Sequence, residues 1–214
     1  GGINVASFEW LQRLEALCHA NDILLIVDDI QVGCGRTGPF FSFEPAGIVP
    51  DIVCLSKSIG GIGLPLALTL FRREFDVWEP GEHDGTFRGN NAAFVAAAEA
   101  LDAFWRDDAL SAEVARKGTI VADRLAAIVE RFPELEFSTR GRGLVHGLEC
   151  GHDGVAGEIV HRAFDLGLII ETSGARSQVL KVMPPLIIED EMLVAGLDIL
   201  EEAVAAFVAE PAPT

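Results

Sequence analysis

Short apolar runs bounded by turn residues alternate with longer stretches whose apolar side chains recur every three or four positions, which divides this chain into strands and helices. Ser7 can cap a helix running to about residue 20, with Leu11, Leu14, Leu17 and Cys18 on one face. The runs at 23–28 (ILLIVD) and 52–55 (IVCL) are rich in Ile and Val, which predicts core strands, and a third strand is predicted at 66–71. An alanine-rich helix follows at 91–107. A long amphipathic helix is predicted over 110–131, with Val114, Ile120, Val121, Leu125 and Ile128 as its apolar positions. After Pro133 come strands near 135–138 and 143–149, a helix at 154–166, strands at 168–171 and 179–182, and a last helix at 190–208.

Alternation of helix and strand up to residue 108 predicts an α/β layer with a mostly parallel, helix-covered sheet. The mixed order over 109–214 predicts a connecting helix and a small α+β domain. Half of the residues are hydrophobic, which implies that much of the surface belongs against another body. A net charge of −17 argues against nucleic acid and anionic membranes as partners. Cys18, Cys34, Cys54 and Cys150 show no paired spacing, and the five histidines form no ligand pattern, so neither a disulfide framework nor a metal site is expected. No signal-peptide pattern opens the chain, and the longest uncharged stretch, 58–71, is glycine-interrupted and too short to span a bilayer; a cytoplasmic protein is expected.

Asp28 ends the first strand and Lys57, one of only three lysines, follows the second. Ligands of open α/β sheets collect at the carboxyl ends of strands. A primary amine for an aldehyde, with a carboxylate for a ring nitrogen, is what pyridoxal 5′-phosphate (PLP) asks of a protein. Burial of both groups is expected, since it would favour a neutral amine and tighten the carboxylate's hold on a protonated ring. The plainer alternatives are a turn carboxylate and a solvated loop lysine. Asp28 and Asp29 must face opposite ways at a strand end, so only one can serve.

Four motifs decide between these readings: DDIQVGCGRTG (28–38), PDIVCLSKSIGGIGLP (50–65), GTFRGNN (85–91) and RGRGLVHGLE (140–149) ahead of PPLII (184–188). With them the chain resembles the class III, ω-type PLP-dependent aminotransferases over essentially its whole length, but only over about the C-terminal half of that family's chain. The resemblance implies the C-terminal part of a fold-type-I PLP domain over 1–108 and the small C-terminal domain after it. It implies that Lys57 carries the cofactor and shuttles a proton, that Asp28 faces the ring nitrogen, and that Gln31, otherwise a polar turn residue, bonds the phenolic oxygen. Thr86 would contact the PLP phosphate of a neighbouring subunit, making a homodimer or higher homo-oligomer. Asp29 stands where the family usually has glutamate.

Two residues bear on substrate. By the same resemblance, Arg36 matches an arginine that pairs with a glutamate expected just before Gly1. Lys181 stands where relatives carry an arginine for a substrate carboxylate, although a surface lysine is the open alternative. Arg140 and Arg142, flanked by glycines, are read as turn and interface residues. Within the class, GGINVAS (1–7), the segment 28–44 and GEHDGTFRGNN (81–91) are most similar to the branch moving an amino group from L-glutamate to L-aspartate 4-semialdehyde in ectoine biosynthesis. The alternatives are ornithine, acetylornithine or 4-aminobutyrate as substrate, or an inactive piece that needs a partner half.

Overall fold

The computed structural model describes residues 1–85 and 88–209. It divides into two compact units, residues 6–112 and residues 1–5 with 113 onward, each with its own core.

The first unit opens with α1 (Phe8–Ala20), whose first turn is capped by the Ser7 hydroxyl accepting the Trp10 N–H at 3.2 Å. Cys18 is buried, with Leu11 and Leu14 packed against the core, but Leu17 is 62% exposed and falls outside the predicted face. Three strands follow, β1 (Ile26–Asp28), β2 (Ile52–Leu55) and β3 (Leu68–Phe71), in the order β1-β2-β3. The β1–β2 ladder is parallel and β2–β3 antiparallel. The apolar run at 23–28 therefore supplies strand only from Ile26. Its earlier part is fixed by Asp51 instead, whose buried carboxylate accepts the Leu25 N–H at 2.8 Å while its own N–H reaches Leu25 O at 3.0 Å. The same carboxylate lies 3.4 Å from Arg72 Nε, beyond the end of β3.

One face of this sheet, with Leu25, Val53 and Leu55, packs into a core of Cys18, Cys34, Phe43, Ile48, Ile59 and Ala97. The other face carries Ile26, 58% exposed, and Phe71. Helix α2 (Asn91–Phe104) is capped by Asn90, whose side chain accepts the Ala92 N–H at 2.9 Å. Its Ala93 and Ala97 are buried in the same core.

Helix α3 (Ala109–Arg131) begins in the first unit and supplies the second with fully buried Val114, Val121, Leu125 and Ile128, a stripe at helical spacing; Ile120 is only half-buried. Strands β4 (Ser138–Arg142), β5 (Val145–Glu149), β6 (Glu171–Ser173) and β7 (Val179–Val182) form an antiparallel sheet in the order β4-β5-β7-β6. Helices α4 (Val155–Asp165) and α5 (Asp190–Ala209) complete the unit. The strand expected at 135–138 is instead a 3-10 turn, Pro133–Leu135, because proline's fixed φ suits a first helical turn. Arg140 sits within β4 rather than in a turn, where its Nε donates to Gly2 O at 2.8 Å and Nη1 to Glu149 at 2.5 Å. Gly118 is required where α3 crosses the β4–β5 turn, since a Cβ there would lie 2.5 Å from Gly143 O. Among the described residues no helix is long and apolar enough to cross a membrane.

Two stability effects follow from this packing. Asp51→Ala leaves the Leu25 N–H without its side-chain acceptor at the root of the parallel ladder. It is expected to cost about 1–3 kcal/mol, read as a lowered urea midpoint. In the second unit, burial pushes the His146 imidazole below its ordinary pKa of 6.5, with the Gly143 carbonyl opposing. The unfolded chain therefore takes up this proton first as pH falls. The contribution of neutral His146 is fully present above about pH 6.5 and is lost as the pH drops towards the folded-state value. His146→Gln is expected to flatten that part of the dependence, measured as denaturation midpoints at several pH values.

Candidate active site

The parallel register places Asp28 opposite Cys54, three residues before Lys57. Neighbouring strands run about 4.8 Å apart, so both residues leave the same carboxyl edge of adjacent strands. Asp28 Oδ1 accepts the Ile30 N–H at 3.1 Å, a local turn contact, and the residue is exposed. Lys57 is exposed too, contrary to the burial expected of both. For Asp28 the reason is strand alternation: the acid that turns into the core is Asp29, only 1% exposed, and Asp28 shares the open face with Ile26.

Lys57 has a backbone φ of +53°, in the left-handed region, at the start of a 3-10 turn, Lys57–Gly60. Such conformations in residues other than glycine carry strain and concentrate at functional sites. Neighbouring contacts hold it there. Ser56 Oγ donates to Leu66 O at 2.7 Å, and Gly61, at φ +67°, lies so close to α2 that a Cβ would come within 2.8 Å of Ala96 O. The alanines of α2 and the glycines after Lys57 are thus two halves of one fit.

Gln31 is half-buried in the turn after β1. Arg36 lies buried in the same loop, where desolvation pulls its guanidinium below the usual range. Burial also pushes the Cys34 thiol up to about 11, which leaves it protonated and unreactive. Thr86 lies outside the described residues; the α2 cap at Asn90 is nearby in sequence. In the second unit, Lys181 pairs with Glu171, its neighbour across the β6–β7 ladder. It lines a cavity of about 400 Å³ with Ile170, Met183, Pro184 and Leu197. Lys117 is buried and donates to Ile188 O at 2.6 Å, a structural use of that lysine.

The donor set fits PLP by its chemistry. An amine and a carboxylate project from one sheet edge, as an aldehyde and a pyridine nitrogen require. A glutamine half-buried in the adjoining turn offers an amide for a phenolic oxygen. Sequence reasoning missed Glu171 as the partner of Lys181 and Ser42 as the partner of Asp29, both described by their hydrogen bonds. The signal for Ser42 was present: it is the one polar residue in the run FFSF.

Comparison with known proteins gives the family. The family model "Aminotransferase class-III" matches residues 1–204. The chain is 59% identical over 201 residues to a diaminobutyrate–2-oxoglutarate transaminase of Virgibacillus pantothenticus, covering 94% of this chain and 48% of that protein. It is 53% identical over 214 residues to one of Bordetella parapertussis, covering 100% and 49%. Among solved structures, the ornithine aminotransferase of Toxoplasma gondii superposes with a TM-score of 0.88 at 31% identity, over 97% of this chain and 49% of that one. The N-acetylornithine aminotransferase of Stenotrophomonas maltophilia gives 0.85 at 34%, over 98% and 54%. The chain spans about half the length of the curated relatives it matches. Matched along nearly its whole length, it belongs to the class-III aminotransferases, α/β enzymes of fold type I whose cofactor is pyridoxal 5′-phosphate.

Proposed function

We propose that this sequence serves a transaminase that moves the amino group of L-glutamate to L-aspartate 4-semialdehyde, giving 2-oxoglutarate and L-2,4-diaminobutyrate, the entry to ectoine. The observation that carries the reading is the pairing of Asp28 and Lys57 at one edge of a parallel ladder, with Lys57 in a strained backbone conformation. The names of the curated relatives favour diaminobutyrate and 2-oxoglutarate over the ornithine substrates of the structural neighbours, because sequence identity is 53–59% to the former and 31–34% to the latter.

In this reading PLP, when bound, supplies the electron sink for breaking a bond at the substrate's Cα. Lys57 would hold the cofactor through its amine and would carry the proton at the substrate's Cα. Asp28 keeps the ring nitrogen protonated by its negative charge. Gln31 orients the ring by a hydrogen bond to the phenolic oxygen. Thr86 reaches a phosphate in a neighbouring subunit, so the assembly is a homodimer or a larger homo-oligomer. Lys181 serves a substrate carboxylate only after exchanging Glu171 for it, and as a point charge it holds that group less directionally than arginine would. Arg36, buried in the loop after β1, would pair with a glutamate and so bear on which amino donor is taken, as the family resemblance implies. Residues 1–108 are the part of the PLP domain, and 109–214 the connecting helix and small domain. A cytoplasmic location suits the small, soluble substrates.

Borohydride reduction of the PLP-loaded protein followed by peptide mapping is expected to find the cofactor on Lys57; a label on Lys117 or Lys181 would overturn the assignment. Asp28→Asn is expected to retain part of the cofactor and lose turnover by roughly a hundredfold or more, the range for removing one preorganised electrostatic partner. Near-normal turnover in that variant would overturn the assignment of Asp28, since Asp29 is buried and engaged by Ser42. Glutamate-dependent turnover should be fastest with aspartate semialdehyde. It is assayed against ornithine and 4-aminobutyrate, on the 214-residue chain and on a polypeptide of the relatives' length that carries it.

A further inference from the structure

Asp29 has every polar group engaged, and each partner belongs to a different part of the site. Its N–H donates to Cys54 O at 2.9 Å, extending the ladder towards the lysine strand. Its carbonyl accepts the Gly33 N–H at 2.9 Å, closing the turn that contains Gln31. Its carboxylate accepts the Ser42 N–H at 3.0 Å on one oxygen and the Ser42 hydroxyl on the other. The loop over 30–41 thus leaves from Asp29 and returns to it.

The fit around this carboxylate is close. A Cβ at Gly33 would lie 2.7 Å from both Asp29 O and Asp29 Oδ2, so only glycine lets the turn wrap over the acid. Burial pushes the Asp29 carboxyl above its usual range, while both Ser42 hydrogen bonds pull it back. Consecutive strand residues point to opposite faces. Whatever fixes Asp29 inward therefore fixes Asp28 outward, on the edge it shares with Lys57.

We propose that Asp29 and Ser42 form a positioning pair: their clasp across the loop sets the direction of Asp28 and Gln31 towards the cofactor without touching it. This rests on the roles given to Asp28 and Gln31 above. A misdirection on the scale of an ångström in a group facing the reacting system costs up to about a hundredfold in rate, so the clasp has consequences beyond stability.

The test uses the full-length protein carrying this sequence, in PLP-free and PLP-loaded forms, with Ser42→Ala, Ser42→Thr and Asp29→Asn. Asp28→Asn is the reference. In the PLP-free protein, Ser42→Ala is expected to speed amide hydrogen exchange over 30–41 by about tenfold or more, as loss of a charge-assisted hydrogen bond implies. In the loaded protein, it should shift the pH titration of the bound cofactor's visible absorption in the same direction as Asp28→Asn. It should also lower kcat roughly ten- to a hundredfold at saturating PLP. Ser42→Thr, which keeps the hydroxyl, should restore all three. Asp29→Asn combined with Ser42→Ala should be little worse than either alone. Faster exchange with an unchanged titration and kcat would reduce the pair to a structural role and overturn the proposal, as would unchanged exchange in Ser42→Ala. If Asp28→Asn itself leaves the absorption unmoved, the assignment of Asp28 fails, and that failure is recognised separately because the exchange result does not depend on it.

Discussion

Everything at the candidate site depends on the register between β1 and β2, and Asp51 sets it. Its side chain and main chain both engage Leu25, one residue before β1 begins, so the two parallel strands start together. From that point, strand geometry fixes Ile26 against Ile52 and Asp28 against Cys54. A slip by one residue would turn Asp28 into the core and Asp29 out of it. The site therefore needs its register pinned, and the buried Asp51 carboxylate on the Leu25 N–H does so together with the apolar face of the sheet, which a slip would turn outward.

Once the register is set, small residues determine how the lysine is presented. Gly61 allows the loop after Lys57 to lie against the main chain of α2, and Ala93 and Ala97 are buried on that helix. Larger side chains would push the loop away and relax the left-handed backbone at Lys57. Asp29 does the corresponding work for the carboxylate side, through Gly33 and Ser42. Amine and acid are thus each held by a close backbone approach, one against a helix and one within a loop.

Much of this was legible in the sequence because punctuation and periodicity are local. Strands 52–55 and 179–182 were read with their observed limits, being bounded by Pro50 and Asp51 on one side or by Pro184 on the other. The apolar stripe of α3 was read for the same reason, from Val114, Val121, Leu125 and Ile128. The unread features are relations between distant residues. Nothing in ILLIVD says that its first half is held by Asp51 rather than by a ladder. The Lys181–Glu171 pair went unseen because strand β6 was expected at 168–171 and begins at Glu171, which altered the cross-strand register. Asp29 was recognised as facing away from Asp28, but Ser42 lies thirteen residues on, beyond any helical or strand spacing.

The exposed face of the first sheet adds one more constraint. It carries Asp28 together with Ile26 and Phe71, so the charged group and uncovered apolar surface lie side by side. Apolar surface of this kind favours a covering body. Covering it would take water away from Asp28 and Lys57 at the same time, and an ion in a drier environment interacts more strongly with its partner. The same step that buries Ile26 would thus sharpen the electrostatics on which the proposed chemistry relies. The two neighbouring acids thus divide: Asp29 is engaged within the fold, while Asp28, exposed and accepting the Ile30 N–H, stands on the face where the proposed chemistry would take place.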